Sequence, residues 1–220
     1  MRIIMNITIR EPGSAITHFI AMILAIFAAV PLLVKAGLSS GGASFAAMTI
    51  FISSMILLYG ASATYHSVNL SGKALQIFKK IDHMMIFVLI AGSYTPVCLI
   101  VLGGQLGYQL LALVWGIALV GMTIKAFWVT CPKWFSSMIY IAMGWVCVLV
   151  FGQLWSTLPT AAFLWLLAGG IIYTIGGVIY ALKLPLFNAA HKSFGSHEVF
   201  HLFVMGGSLC HFIFMYLYVA

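Results

Sequence analysis

Long apolar runs separated by short polar clusters recur seven times along this chain. A helix needs about 20 apolar residues to cross roughly 30 Å of hydrocarbon. Seven segments qualify: about 14–35, 43–65, 81–102, 106–127, 135–155, 161–182 and 198–219. Between them stand turn and breaker residues: "GLSSGGAS" (37–44), "NLSGK" (69–73), "LGGQ" (102–105), "CPKW" (131–134), "STLPT" (156–160) and "KLPLF" (183–187). The pattern predicts an all-α polytopic membrane protein, a seven-helix bundle forming one transmembrane domain over 1–220. The first run is too long for a signal-peptide core and lacks a convincing small-x-small cleavage site, so it reads as a retained span.

Composition sharpens this picture. Hydrophobic residues make up 64% of the 220 and charged residues 6%, where a soluble domain carries about 25% charged residues. The net charge of +7 raises the question of nucleic acid, and the distribution of charge answers it. Arg2, Arg10, Lys73, Lys79, Lys80, Lys125, Lys133, Lys183 and Lys192 all fall in or beside connections on one side of the bundle, against Lys35 alone on the other. The positive-inside rule then puts the N-terminus in the cytoplasm and the C-terminus outside, with no nucleic-acid partner needed. The sequons at Asn6 and Asn69 fall on that cytoplasmic side and read as chance matches. Cys98, Cys131, Cys147 and Cys210 form no C-x-x-C site or disulfide framework. Paired glycines at 169–170, 176–177 and 206–207 suit close helix packing.

Three acids exist in the chain, Glu11, Asp82 and Glu198, all at predicted cytoplasmic helix ends. An ionisable group costs about 2.5–3.5 kcal/mol at the centre of a membrane helix, so each is a candidate for function, Glu11 least because the cost falls near a helix end. His66 ends span 2, Asp82 opens span 3, and His197 with His201 opens span 7. All four belong to one membrane face and can converge on a metal, since zinc takes about four nitrogen or oxygen ligands. His18, His191 and His211 taken singly read as ordinary amphipathic side chains, and His211 lies about 15 Å beyond His201 on one helix. His83 points about 100° away from Asp82 and suits a supporting or lipid-interface role.

"HEVFH" (197–201) also spells the H-E-x-x-H of zinc proteases. Such enzymes need a third ligand, commonly downstream, and no acid follows Glu198. The pentapeptide therefore reads as an H-x-x-x-H pair, with Glu198 an ordinary acid of a first helical turn.

"SATYHS", "KKIDHMMIFVLIAGSYTP", "YIAMGW" and "HEVFHLFVMGGSLCHF" resemble, in order and over nearly the whole chain, the bacterial hemolysin III family, which is related to the progestin and adiponectin receptors. The resemblance implies a zinc ion held by His66, His197 and His201, with Asp82 binding through a water and Ser62 one turn before the first histidine. In the first span, "EPGSAITH" keeps Glu11, Thr17 and His18 but has Ser14 where the family pattern has Asn. Alkaline ceramidases are among the wider relatives, which implies hydrolysis of a lipid amide as chemistry open to such a site.

The function expected is a zinc-dependent hydrolase of a lipid amide or ester in the bacterial inner membrane, with Asp82 as water-orienting base and Ser62 as a donor to substrate. Its partner would be a membrane lipid or fatty acid. The alternative is a sensor or receptor-like regulator of membrane state whose zinc is structural. Cytolysis, implied by the family name, ranks lower, because a chain that is integral throughout has no soluble form to secrete.

Overall fold

The computed structural model describes residues 9–38, 42–182 and 194–220. Arg2, Asn6, Lys183, His191 and Lys192, with part of the connection 37–44 and all of 183–187, lie outside the described residues. Seven segments are long and apolar enough to cross a membrane, and among the described residues there is no strand. Span 1 is α1 (Pro12–Leu38), span 2 α2 (Gly42–Ser67), and span 3 α3 (Gly72–Pro96) continuing as a π-helical turn (Val97–Leu102). Span 4 is α4 (Gly104–Phe127), and span 5 joins α5 (Lys133–Gly144) through a 3₁₀ stretch (Trp145–Val150) to α6 (Phe151–Thr157). Spans 6 and 7 are α7 (Thr160–Leu182) and α8 (Ser196–Phe214), the latter ending in a π turn (Met215–Val219). The chain is a multi-pass membrane protein.

Two departures from the hydropathy pattern have local causes. Span 3 begins at Gly72 instead of near 81, because "KALQIFKK" (73–80) is helical but too polar to register as an apolar run. Span 5 is interrupted where Tyr94 reaches into its backbone ladder. The Tyr94 hydroxyl donates to the Gly144 carbonyl at 2.6 Å and accepts from the Cys147 N–H at 2.8 Å. A side chain inserted in this way accounts for the switch to 3₁₀ geometry. The "LGGQ" turn forms as expected, with Gly103 and Gly104 at φ of 59° and 52°, a left-handed backbone that favours glycine.

Packing runs from α1 to α2, α3 and α4 in sequence, and from α5 to α7 and α8, which returns to α1. The α7–α8 contact depends on small residues. A Cβ on Gly207 would stand 2.8 Å from the Tyr173 ring and one on Gly176 2.7 Å from Phe203 Cβ, whereas Gly170 and Gly206 would meet only ordinary contacts. Close packing thus explains part of the glycine pattern. The outer surface is apolar, with Phe27, Phe127 and Leu149 exposed, as lipid-facing positions require. Lys125 departs from its reading as one of the charges at the rim of the bundle. It is 2% exposed, folded inward from the last turn of α4.

Candidate metal centre and ligand cavity

His66 projects from the last turn of α2, and His197 and His201 project one turn apart from the start of α8. One ring nitrogen from each lies within 4.8 Å of the others. His66 Nε2 and His197 Nε2 are 3.3 Å apart. Nitrogens bound tetrahedrally to one zinc at 2.0–2.1 Å would stand about 3.3–3.4 Å apart, so this pair already has ligand spacing. Three imidazoles form a donor set that zinc accepts.

Two side chains of the first span set the tautomers. The Glu11 carboxylate accepts the Nδ1–H of His66, and the Glu11 backbone N–H donates to the His66 carbonyl at 3.0 Å. That hydrogen bond holds the Glu11 carboxyl down at about 2, so the acid is ionised throughout the physiological range. With Nδ1 protonated, the Nε2 of His66 turns a lone pair toward His197. Thr17 does the same for His201. Its hydroxyl hydrogen has the Gly13 and Ser14 carbonyls to donate to, at 3.0 and 2.9 Å, which leaves the oxygen to accept His201 Nδ1–H at 3.1 Å. Both partners orient a ring and raise its basicity, as outer contacts of metal-binding histidines do.

Asp82 is buried on α3 and hydrogen-bonded to Ser62, which sits on α2 one turn before His66. Asp82 stands outside the three-nitrogen group. Both residues line a cavity of about 170 Å³ that is walled near the histidines by His18, His83, His197 and His201. The same cavity extends along apolar side chains such as Leu89, Val97, Leu154 and Phe163 as far as His211. The cavity thus joins a polar end to an apolar bore, the common make-up of a small-molecule site.

Glu198 does not line the cavity, and accepts from the Gly195 N–H at 2.8 Å and from the Ser14 hydroxyl. It caps α8 and ties it to α1, and is not placed as the base a protease would need. Ser14, the departure from the family pattern, thereby supplies hydrogen bonding between these helices. His211 approaches the Leu166 carbonyl at 3.4 Å, remote from the trio. His83 turns into the cavity and not toward lipid.

Sequence reasoning undervalued Glu11 and His18. His18 is 3% exposed and stacks on His201 with centroids 3.6 Å apart, and neither of its ring nitrogens has a partner among the described residues. The signal was available. Glu11, Ser14 and His18 recur at helical spacing in an otherwise apolar run, which places them on one face of the start of α1.

A family model described as "Haemolysin-III related" matches residues 7–212. The "Hemolysin-3" of Bacillus cereus is 38% identical over 209 residues, 95% of this chain and 91% of the relative. The "Hemolysin-3 homolog" of Bacillus subtilis (strain 168) is 39% identical over 206 residues, 93% of this chain and 92% of that one. A shorter match, 34% identical over 79 residues, covers 34% of this chain and 24% of the "ADIPOR-like receptor IZH2" of Saccharomyces cerevisiae.

Proposed function

The chain belongs to the haemolysin-III-related family, and from the site it carries we propose that it is a zinc-dependent hydrolase of a lipid amide or ester. The observation that carries this reading is that His66 converges with His197 and His201, and that the latter two line the polar end of an apolar cavity together with Asp82 and Ser62. His66, His197 and His201 would hold the ion. When bound, zinc supplies an electrophile for a carbonyl oxygen and a water acidified towards neutrality.

The protein's own groups do the rest. Asp82 takes the proton of the attacking water and returns it to the leaving amine or alkoxide. Ser62, whose single hydroxyl hydrogen goes to that carboxylate in the free protein, would turn it to the substrate carbonyl when lipid is bound. Glu11 and Thr17 keep two of the three imidazoles in the tautomer that presents a lone pair. The apolar bore seats the acyl chain and excludes bulk water. The lysine-rich side of the bundle supports a cytoplasmic location for this end, in the inner membrane of a bacterium.

The test is turnover of fluorogenic acyl amides and esters by purified protein of known metal content. Asp82→Asn should lower turnover by about 10²–10⁴-fold, the usual worth of a general base, with zinc still stoichiometric. His197→Ala should lose the ion by elemental analysis. Undiminished turnover in Asp82→Asn, or full metal occupancy in His197→Ala, would sink the proposal.

A further inference from the structure

Lys125 is a basic side chain buried inside the bundle with no carboxylate beside it. Its ammonium donates to Ser136 Oγ at 2.5 Å and to Cys131 Sγ at 3.1 Å, and stands 5.9 Å from the Tyr140 ring centroid. No carboxylate is among these partners. The three carboxylates are committed elsewhere: Glu11 to His66 and Arg10, Asp82 to Ser62, and Glu198 to Ser14 and Gly195.

A buried ammonium without a counter-charge is costly and marks a functional position by default. The fold adds further positive character, because Ser136 belongs to the first turn of α5, where the helix dipole is positive. This pocket of positive potential borders the ligand space. Ser136 and Ser137, each 3% exposed, line the cavity together with Tyr140 and with His83, whose Nδ1 has no partner among the described residues.

We propose that the hydroxyls of Ser136 and Ser137 on the cavity wall, backed by Lys125, which donates to Ser136 from behind that wall, form an anion subsite, so that the lipid this protein takes carries an acidic oxygen group, a carboxylate or a phosphate. The proposal rests on the reading of the cavity as an acyl-lipid site and adds the charge of its occupant. Ser136, held by the ammonium, passes the positive potential into the cavity, and the helix dipole reinforces it. A neutral lipid of the same length would leave Lys125 uncompensated.

The test compares dodecanoate, dodecyl phosphate and dodecanol as competitors of a fluorescent acyl probe on the full chain in zwitterionic nanodiscs, with and without a chelator. The wild type should bind at least one charged ligand about tenfold more tightly than dodecanol, the worth of one charge-assisted hydrogen bond. Comparison of the two charged arms identifies carboxylate or phosphate as the group read. With dodecanol as the reference in each variant, Lys125→Met should reduce the preference to within about twofold and Lys125→Arg should keep it, with or without chelator.

Equal binding of charged and neutral ligands by the wild type overturns the proposal alone. So does a preference that survives Lys125→Met, or one that chelation abolishes, which would place the anion on the metal. If Lys125→Met fails to fold, Ser136→Ala decides, and an unchanged preference there overturns the proposal. Failure of all three ligands to compete overturns the acyl-lipid reading as well.

Discussion

Removing Glu11 tests whether the metal centre is organised by the first span. Glu11 supplies no ligand. It accepts the Nδ1–H of His66 and anchors the end of α2 through its own backbone N–H at 3.0 Å. In Glu11→Ala the His66 ring loses its acceptor, can rotate, and can take the tautomer that turns N–H toward the ion. Loss of such an outer partner typically weakens metal binding by about 10–100-fold, or about 1.4–2.8 kcal/mol at 1.4 kcal/mol per decade. The Glu11 side chain is 45% exposed, so solvent screening favours the lower end, about tenfold. Glu11→Gln keeps an acceptor oxygen without the charge and should fall between wild type and alanine. Zinc affinity would be read by competition with a chromophoric chelator at pH 7.5, with His66→Ala as the reference for a lost ligand. A Glu11→Ala affinity within twofold of wild type, beside metal loss in His66→Ala, would refute the role assigned to this carboxylate.

Thr17→Val should weaken zinc by about tenfold through His201, and Thr17→Ser should restore it, in the same competition assay. Gly207→Ala should lower the thermal midpoint in a detergent melt by forcing a Cβ against Tyr173, an overpacking of about 1–3 kcal/mol; an unshifted midpoint would mean the α7–α8 contact yields. Glu198→Gln should leave metal content and turnover nearly unchanged, since Glu198 serves Ser14 and Gly195; abolished turnover would return the H-E-x-x-H reading to consideration.

Seven spans, their approximate limits and the helical class were legible in the sequence, because crossing hydrocarbon imposes one length and one composition on every segment. The convergence of His66 with His197 and His201 was legible for a related reason, since the histidines sit at helix ends that the lysines assign to one face. Where the chain departs from uniform apolarity for reasons of contact, the pattern is silent. The break in span 5 depends on a hydroxyl from span 3, and no property of residues 145–150 announces it.

The sequence by itself determined that this chain lives in a membrane and brings three imidazoles to one end of a bundle, because hydropathy and charge act residue by residue. Only the tertiary structure decided that Glu11 and Thr17 orient those imidazoles, that His18 stacks behind one of them, and that Lys125 turns inward behind the wall of a largely apolar cavity. Those facts depend on which faces of different helices meet, and one chain's periodicity specifies a face without naming its partner.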